Sequence, residues 1–315
     1  MRQRQLLYLL TIILATTLTT GCGKDSVEEG SYDIWTDGLV ITEAGDNSLF
    51  FVPTADAAGM MLTYDRTDLS YERLVQMVGG AVDTEDGGSG QKGLLTYQGA
   101  VVIPVQVKGM PVTAIDQYAF SGNLYLESVT IPESVTDIGP EAFAVCPSLT
   151  TLALPSGITE IKAGTFCGRS VSELYVPDNV KRIAHFAFLK NVLLTTIQFD
   201  TDRSQLEYIG ASAFSGCTAL TDFEMPEQVR ELGDMAFNGC TALRTVTLGS
   251  KLQTIGKSVF SGCSKLTSIY MLNSVPPTAG DVISTKATIY IPKGSLEAYQ
   301  QAPYWSEITN YVEEE

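Results

Sequence analysis

Residues 213–217 read Ala-Phe-Ser-Gly-Cys, residues 236–240 read Ala-Phe-Asn-Gly-Cys, and residues 259–263 read Val-Phe-Ser-Gly-Cys. These stretches are evenly spaced, and looser copies of the same pattern precede them in the chain. The period is about 23 residues, and self-similarity at a fixed period of this length is the signature of a repeat array. One phenylalanine marks each copy, and only the interval between the fourth and the fifth is clearly longer than the others: Phe120, Phe143, Phe166, Phe188, Phe214, Phe237 and Phe260.

Each repeat carries two further elements around its phenylalanine. An aliphatic pair precedes it, as in Val229 and Leu232, and a strand pattern follows it, as in Leu243-x-x-Val246-x-Leu248. A period of this length is too short for two helices and too long for one strand and a turn. We therefore expect each turn of the repeat, called a rung below, to hold a short strand, a second extended stretch and a tight bend. Stacking rungs about 4.8 Å apart pairs these strands in parallel and buries the aliphatic and phenylalanine columns.

The pattern resembles the BspA-like leucine-rich repeats of bacterial surface proteins. The Ala-Phe-x-Gly-Cys stretches carry the resemblance, together with Ile131-Pro132, Val135-x-x-Ile138-Gly139 and a tail at residues 289–299. It covers roughly residues 100–315. It implies an α/β, β-rich repeat solenoid, right-handed and curved, with about seven to eight rungs of 22–26 residues and parallel strands on one face. It also implies display outside the cell, a role in adhesion or host-protein binding, and no catalytic residues.

The first 21 residues have the composition of an export signal. Arg2 and Arg4 precede an apolar run at residues 6–14, and Gly21 stands directly before Cys22. A basic start, a short apolar run and a small residue before the cleavage point are typical of a signal peptide. The apolar run is too short to span about 30 Å of hydrocarbon as a stable anchor. The segment resembles a bacterial lipoprotein signal, in which Cys22 is lipidated; an ordinary signal peptide with an incidental cysteine is the alternative.

Acidic residues follow Cys22 closely, at Asp25, Glu28 and Glu29. They resemble the export tag that sends lipoproteins of Bacteroides-type bacteria to the outer face of the outer membrane. We therefore expect a cell-surface-exposed outer-membrane lipoprotein, with the periplasmic face as the alternative. The predicted organisation is a signal peptide at 1–21, a lipidated tether at 22–31, a non-repeat N-terminal capping segment at 32–93, the solenoid at 94–293 and a C-terminal cap at 294–315.

The composition excludes several classes of function. The chain has 36 Asp and Glu against 20 Lys and Arg, a net charge of −16, and a single histidine, His185. Binding to nucleic acid phosphates needs a basic patch, and none is present. One histidine excludes an all-protein multi-histidine metal site. We expect no cofactor, no metal and no nucleic acid partner, and membrane contact only through the N-terminal lipid.

The two ends of the chain depart from the repeat pattern. The N-terminal segment predicts strands at 38–42, 49–52 and 60–64, and a short amphipathic helix at 69–78. At the other end we expect a helix that begins at Leu296 with Ser295 as its N-cap. Aromatic and aliphatic residues after it are expected to cover the last rung: Tyr299, Trp305, Ile308 and Tyr311.

Six rungs carry cysteine or asparagine three residues after the phenylalanine: Asn123, Cys146, Asn191, Cys217, Cys240 and Cys263. Cysteine and asparagine share a small side-chain donor, so the column predicts a buried hydrogen-bond ladder to backbone carbonyls at the bend. Disulfides are the alternative, opposed by the parallel side-chain directions and the odd cysteine count. A zinc site would need a Cys-x-x-Cys pair or clustered histidines. Cys167 is out of register and is expected to be a buried thiol, and His185, at a variable position of the bend, is expected to face solvent.

The outward positions of the long strands form two columns along the predicted solenoid. About eight strands at 4.8 Å spacing make a face about 40 Å long, suited to a protein or polymer. The candidate partner-binding residues on it are Glu173, Tyr175, Asp222, Glu224, Tyr270 and Tyr290. Tyrosine offers a rigid apolar ring and a hydroxyl to a partner. The alternative is that threonine and tyrosine simply favour exposed strand positions.

The leading prediction is a non-enzymatic surface binding or adhesion protein that holds a host or bacterial protein on this face. A glycan-binding lipoprotein is the first alternative, with Tyr175, Tyr270 and Tyr290 stacking on sugars, and a structural surface scaffold is the second. An enzyme would need convergent titratable groups, whereas the face carries only Glu173, Asp222 and Glu224, without a partner that orients a base.

Overall fold

The computed structural model describes residues 40–44, 47–53, 59–63 and 97–314, apart from residues 108, 201, 282, 284 and 285. These residues form a β-solenoid of about nine turns with parallel strands and almost no helix, so the predicted fold class is confirmed. In chain order the strands are β1 Val40–Ala44, β2 Asn47–Pro53, β3 Met60–Thr63, β4 Gln98–Val102, β5 Gln106–Val107, β6 Met110–Ile115, β7 Tyr125–Thr130, β8 Asp137–Ile138, β9 Glu160–Ile161, β10 Glu173–Tyr175, β11 Arg182–Ile183, β12 Thr196–Gln198, β13 Tyr208–Ile209, β14 Asp222–Glu224, β15 Glu231–Leu232, β16 Thr245–Leu248, β17 Thr254–Ile255, β18 Ser268–Met271, β19 Thr278–Ala279, β20 Thr288–Pro292 and β21 Tyr311–Glu314. Helix α1 spans Leu296–Gln301, and a 3-10 helix spans Trp305–Glu307.

Two parallel ladders run along the solenoid. The long strands pair as β4–β7, β10–β12 and β14–β16–β18–β20–β21, and the two-residue strands pair as β9–β11–β13–β15–β17–β19. Equivalent residues of successive rungs lie in register, as in Phe223 opposite Val246 and Ile183 opposite Ile209. Because strand side chains alternate, the central residue of each three-residue long strand is buried and its neighbours face out.

The phenylalanines of the repeat form one continuous stack inside the bend. All seven are buried, and successive rings from Phe120 to Phe260 lie 5.0–5.9 Å apart with 6–18° between their planes. Tyr97 packs on Phe120 at 5.0 Å and ends the stack on the N-terminal side. Offset-stacked rings contribute beyond the area that they bury, and here each ring has a partner in the next rung.

The backbone of the bend makes its own ladder to the next rung. Around Phe214, the amides of Ser212, Phe214 and Gly216 donate to carbonyls of the following rung, at 2.8, 2.8 and 2.7 Å. Three alternate amides can point along the solenoid only because the residues on either side of the phenylalanine are left-handed, with φ of 54° at Ser212 and 74° at Gly216. This explains the glycine of the Ala-Phe-x-Gly-Cys pattern, since glycine adopts positive φ without steric cost. The residue two before the phenylalanine has positive φ in every rung: Tyr118, Glu141, Gly164, Phe186, Ser212, Met235 and Ser258.

The cysteine column donates hydrogen bonds across rungs. The Cys240 thiol donates to the Phe214 carbonyl at 3.1 Å, and Cys146, Cys217 and Cys263 donate in the same way to the phenylalanine carbonyl of the rung before, at 3.0–3.1 Å. Asn123 donates to the Phe120 carbonyl of its own rung at 2.7 Å, and it accepts from the Tyr97 amide.

Two rungs of this column follow a different pattern. The Asn191 side-chain amide donates to the Val171 carbonyl at 3.1 Å rather than to a phenylalanine carbonyl. In the rung that contains Phe166, which has no cysteine at the column position, the buried Ser170 hydroxyl donates to the Phe143 carbonyl at 2.9 Å. Ser170 therefore donates the hydrogen bond to the preceding phenylalanine carbonyl that cysteine donates in four other rungs.

The five cysteines of the described residues are free. Burial raises the pKa of Cys146 to about 12 and also raises the pKa of Cys217. Cys167 is half-buried; burial and the nearby Glu141 carboxylate raise its pKa to about 11. The Cys146 and Cys217 thiols are therefore protonated at neutral pH and donate hydrogen bonds, which suits a structural role.

The N-terminal strands extend the short-strand side of the solenoid. β1, β2 and β3 form an antiparallel meander, and β3 pairs in parallel with β6, with Leu62 opposite Ile115. The strands predicted at 38–42, 49–52 and 60–64 are confirmed, shifted by one or two residues. The helix predicted at 69–78 lies outside the described residues.

The C-terminal residues pack on the last rungs through buried aromatic side chains. Tyr299 and Trp305 are buried and meet edge to face at 5.2 Å. Their polar atoms donate to carbonyls of the preceding rungs, from the Tyr299 hydroxyl to Asn273 at 3.0 Å and from Trp305 Nε1 to Pro277 at 2.7 Å. Within the part of the chain that the structure covers, no helix is long and apolar enough to cross a bilayer.

The start of α1 corrects one expectation. The helix begins at Leu296 and Ser295 occupies its N-cap position, but the Ser295 side chain makes no capping hydrogen bond. It donates instead to the Pro292 carbonyl. A carboxylate oxygen of Glu313 in β21 accepts from the amides of Gly294 and Leu296, at 2.9 and 3.0 Å, and takes over the capping role.

Two phenylalanines of one rung provide a test of the stack. Phe188 is fully buried between two rings, whereas Phe186 is 44% exposed. We expect Phe188→Ala to lower the free energy of unfolding by about 3–5 kcal/mol. Phe186→Ala should change it by less than about 0.5 kcal/mol. Urea unfolding of the two variants, followed by circular dichroism, compares them directly; equal losses would contradict a stabilising role of the stack.

Val145 provides a test of the left-handed bend. It has φ of 55° at a position where five other rungs carry glycine. A β-branched residue is strained in this region. We expect Val145→Gly to raise the free energy of unfolding by about 1 kcal/mol despite the entropic cost of glycine. The matched control is Val102→Gly on β4, an exposed strand valine, which should be destabilising. Thermal melts measure both, and a lower melting temperature for Val145→Gly would refute the assignment of strain.

The cysteine ladder makes a third stability prediction. Cys240→Ser keeps a donor for the Phe214 carbonyl, whereas Cys240→Ala removes it. We expect the alanine variant to be less stable than the serine variant by about 0.5–1.5 kcal/mol, the net contribution of one hydrogen bond, because the Phe214 carbonyl keeps its bond from the Cys217 amide. The same pair of substitutions at Cys167, outside the ladder, should show no such gap in chemical denaturation. If the alanine and serine variants differed in stability by the same amount at both positions, the loss of the hydrogen-bond donor would not be the cause of the destabilisation.

Candidate functional site

The candidate site is the outward side of the long strands, called the strand face below: the outward residues of β10, β12, β14, β16, β18 and β20. Register places them in two columns, with Tyr175 beside Gln198, Glu224 beside Thr247, and Tyr270 beside Tyr290. The six predicted partner-binding residues all lie on this face, on four strands. The members of the two columns are Glu173, Thr196, Asp222, Thr245, Ser268 and Thr288, and Tyr175, Gln198, Glu224, Thr247, Tyr270 and Tyr290.

Tyr270 and Tyr290 stack on each other. Their ring centroids are 4.5 Å apart with 13° between the planes, and both side chains are half-buried. The next residues in register are Thr247 on the outer side of Tyr270 and Val312 on the outer side of Tyr290. The pair therefore presents ring edges and hydroxyls to solvent. A sugar ring stacks on the open face of an aromatic ring, so this geometry suits a polypeptide better than a glycan.

Tyr175 is the most exposed aromatic side chain of the strand face, at 48%. Its hydroxyl donates to Asp178 Oδ1 at 3.0 Å. Arg203 Nε lies 3.5 Å from Asp178 Oδ2, and Arg203 contacts Asp200 Oδ2 at 2.6 Å through both Nε and Nη2. The network holds the Tyr175 ring in one place at the edge of the face. Fixing a side chain before binding lowers the entropic cost of association.

The electrostatics of this network are consistent with that role. Partial burial and the hydrogen bond to Asp178 raise the pKa of Tyr175, so its hydroxyl stays protonated and donates at neutral pH. The hydrogen bond from the Arg203 guanidinium lowers the pKa of Asp200, and the Asp200 carboxylate in turn raises the pKa of Arg203. Asp200 Oδ1 also accepts hydrogen bonds from the backbone amides of Asp202 and Arg203, at 3.2 and 3.1 Å. These bonds tie the loop backbone that follows Asp200 to the Asp200 side chain.

This loop lies in the rung that is three residues longer than the usual repeat. The extra residues follow β12, and the long-strand ladder is interrupted between β12 and β14. The sequence indicated the insertion at 201–203, but Asp178, Asp200 and Arg203 were not expected to act together. The available signal was the Asp200-Thr-Asp-Arg203 sequence at the one clear irregularity of the repeat.

The acidic residues of the strand face stand apart from basic residues. Glu173, Asp222 and Glu224 are exposed, and no Lys or Arg among the described residues makes an ion pair with them. On the short strands, Arg182 of β11 lies 3.5 Å from Glu160 of β9 and 4.1 Å above the Tyr208 ring, whereas Glu231 of β15 is exposed and makes no ion pair among the described residues.

The cavities and possible metal ligands of the described residues lie away from the strand face or are absent. Among the described residues, no three His, Cys, Asp or Glu side chains are placed to hold a metal ion. A cavity of about 510 Å³ opens near the C-terminal end, lined in part by Phe260, Cys263 and Ile308, and another of about 420 Å³ is lined in part by Arg230 and Asn273. None of the residues lining either cavity belongs to the strand face. His185 is exposed on the bend, as expected, beside Phe186.

Comparison with known proteins places these features in a family. The BspA type leucine-rich repeat region matches residues 113–204 and 201–287 with six copies, which is more than half of the chain. No curated protein matches the chain significantly. A T. pallidum leucine-rich-repeat protein of known structure is 28% identical over 70% of this chain and 77% of its own, with a TM-score of 0.44.

Two other solved structures are similar to the chain. A leucine-rich repeat protein from Bacteroides ovatus is 20% identical over 85% of this chain and 76% of its own, with a TM-score of 0.45. A leucine-rich cell surface protein from Faecalibacterium prausnitzii is 18% identical over 72% of this chain and 94% of its own, with a TM-score of 0.24. From the family match over residues 113–287, the chain belongs to the BspA-type leucine-rich-repeat family.

Proposed function

We propose that the protein is a non-enzymatic binding protein that holds a protein partner on its strand face. Membership of the leucine-rich-repeat surface-protein family suggests a binding or adhesion role. The observation that carries the proposal is Tyr175, an exposed ring held in place by the Asp178–Arg203–Asp200 network at the edge of a long, regular face. Rigid tyrosines are among the side chains that most often dominate protein interfaces.

The proposed location is the outer face of a bacterial outer membrane, with the periplasmic face as the alternative. Residues 1–21 would direct export and be removed, and Cys22 would carry the lipid. Two or three acyl chains on one cysteine make a stable anchor, whereas a single chain gives marginal binding. Both segments lie outside the described residues, and the support for this proposal is their sequence.

A glycan is the second candidate partner, and one observation favours it. The Tyr175 ring, unlike the stacked Tyr270 and Tyr290, has a small neighbour in the preceding rung. Thr151 forms a parallel β-bridge with Glu173, so Ala153, two residues after Thr151, lies beside Tyr175. A sugar ring would therefore stack on Tyr175 alone. The stacked pair would contribute only its hydroxyls, through hydrogen bonds.

The test is a binding screen with the full chain, purified in mild detergent, on arrays of extracellular-matrix proteins and polysaccharides. We expect saturable binding to a protein. The variant Tyr175→Ala/Tyr270→Ala/Tyr290→Ala should weaken it by at least about tenfold, because tyrosine is enriched among the interface residues whose truncation costs about 2 kcal/mol or more. Tyr208→Ala/Tyr304→Ala, which removes tyrosines outside the strand face, is the control.

Each outcome of the screen decides between the candidates. Binding to a polysaccharide that depends on Tyr175 alone would replace the protein proposal with the glycan one. Protein binding that survives the triple substitution would place the interface elsewhere on the molecule. The absence of any saturable binding would leave a structural scaffold as the remaining role for the fold.

A further inference from the structure

We propose that the strand face binds a basic polypeptide: an extended segment rich in lysine and arginine, held by Glu173, Asp222 and Glu224 and by the ring of Tyr175. The inference rests on the proposed function, because it takes the strand face as the binding surface. It adds the chemical class of the partner, which the proposed function leaves open.

The first step is the distribution of charge on the strand face. Of its twelve outward residues, three are acidic and none is basic. The acidic residues lie on β10 and β14, on either side of the interruption of the long-strand ladder between β12 and β14. The remaining positions are tyrosine, threonine, serine and glutamine, which add hydrogen-bonding groups without charge.

The second step is the contrast with the short strands. There the structure matches acidic and basic residues in adjacent rungs, through Glu160 with Arg182 and Asp137 with Lys162. No such pairing exists on the strand face within the described residues, although the same rung spacing would allow it. Arg203, at the edge of the strand face, is paired with Asp178 and Asp200 and not with any of the three acidic residues.

The third step is the cost of this arrangement in the free protein. Asp222 and Glu224 are two residues apart on β14 and project from the same side, about 7 Å apart. At this separation two exposed carboxylates repel each other weakly, and salt screens the repulsion. A lysine or arginine bound between them removes this repulsion and adds direct attraction. The binding free energy of a cationic segment therefore includes the relief of repulsion as well as its own ion pairs.

The fourth step is the aromatic ring beside the acidic residues. Tyr175 projects from β10 on the same side as Glu173, and nearly half of its surface is exposed. A cation over an aromatic face gains electrostatic attraction, and arginine does so most often. A carboxylate next to a fixed, exposed ring is therefore a recognition site for a guanidinium or ammonium group whose aliphatic stem packs on the ring.

The net charge of −16 supports the same partner at longer range. A negative field steers cationic segments toward the molecule and repels anionic ones. Such a field acts on any polycation, so the test has to separate attraction to the whole molecule from binding to the strand face.

The experiment measures the affinity of the full chain for three synthetic peptides of equal length, built from Lys-Ser, Gln-Ser and Glu-Ser repeats. Isothermal titration calorimetry is run at low salt and at about 0.15 M ionic strength, where the Debye length is about 8 Å. We expect binding to the Lys-Ser peptide alone, weakened as salt increases. Glu173→Gln/Asp222→Asn/Glu224→Gln should reduce its affinity by roughly tenfold or more, from three weakened ion pairs.

The control variant Glu207→Gln/Glu231→Gln/Glu297→Gln changes the net charge by the same amount with exposed residues outside the strand face. It should lose less than about twofold, the share due to the general field. Equal losses in the two variants, or equal affinity for the Lys-Ser and Gln-Ser peptides, would overturn the inference. Thermal melts of both variants verify folding.

Failure of this inference differs from failure of the proposed function. If the tyrosine variant loses binding to an array protein while the Lys-Ser peptide does not depend on the three acidic residues, the strand face is the site and the partner is not basic. If neither the tyrosine nor the acidic substitutions affect any binding, both proposals fail together.

Discussion

The bend around each phenylalanine is the constraint on which the rest of the solenoid depends. In five of the seven rungs three alternate amides there donate to the next rung, and they do so because the residues two before and two after the phenylalanine are left-handed. This sets the distance and register between rungs before any side chain is considered. The phenylalanine ring then has to lie on the ring of the neighbouring rung, and the cysteine thiol has to meet a phenylalanine carbonyl. One backbone geometry, repeated, organises both columns.

The same register decides what the surface offers. In a parallel, in-register stack, like positions lie beside like positions, so two tyrosines of successive rungs become a stacked pair and lose their open faces. Tyr175 escapes this because its rung is followed by glutamine and by the irregular loop. The surface chemistry of a tyrosine in this fold therefore depends on its neighbours in adjacent rungs as much as on its own exposure.

Much of the fold follows from the sequence because a repeat presents the same pattern seven times. Phe120 to Phe260 and the cysteine column were predictable from spacing alone. The left-handed residue two before each phenylalanine was not, because Tyr, Glu, Phe, Ser and Met all occur there and the backbone, not the side chain, is shared. Ser170 was missed because it lies four residues after Phe166, whereas the cysteine and asparagine column lies three residues after the phenylalanine. The Tyr175 network was missed because it connects residues across an insertion, where periodicity has no predictive value.

The three extra residues after β12 have a consequence for how this molecule can change. Each rung contacts only its neighbours, and a change of length at the end of a long strand leaves the phenylalanine bend intact. The loop with Asp200 and Arg203 is such a change: it forms the surroundings of Tyr175, and the phenylalanine rings of the same rungs stay stacked at 5.3 and 5.0 Å. Loops at this edge are thus free to diversify in evolution or in the laboratory, which makes the solenoid a scaffold whose specificity can be rewritten one strand end at a time.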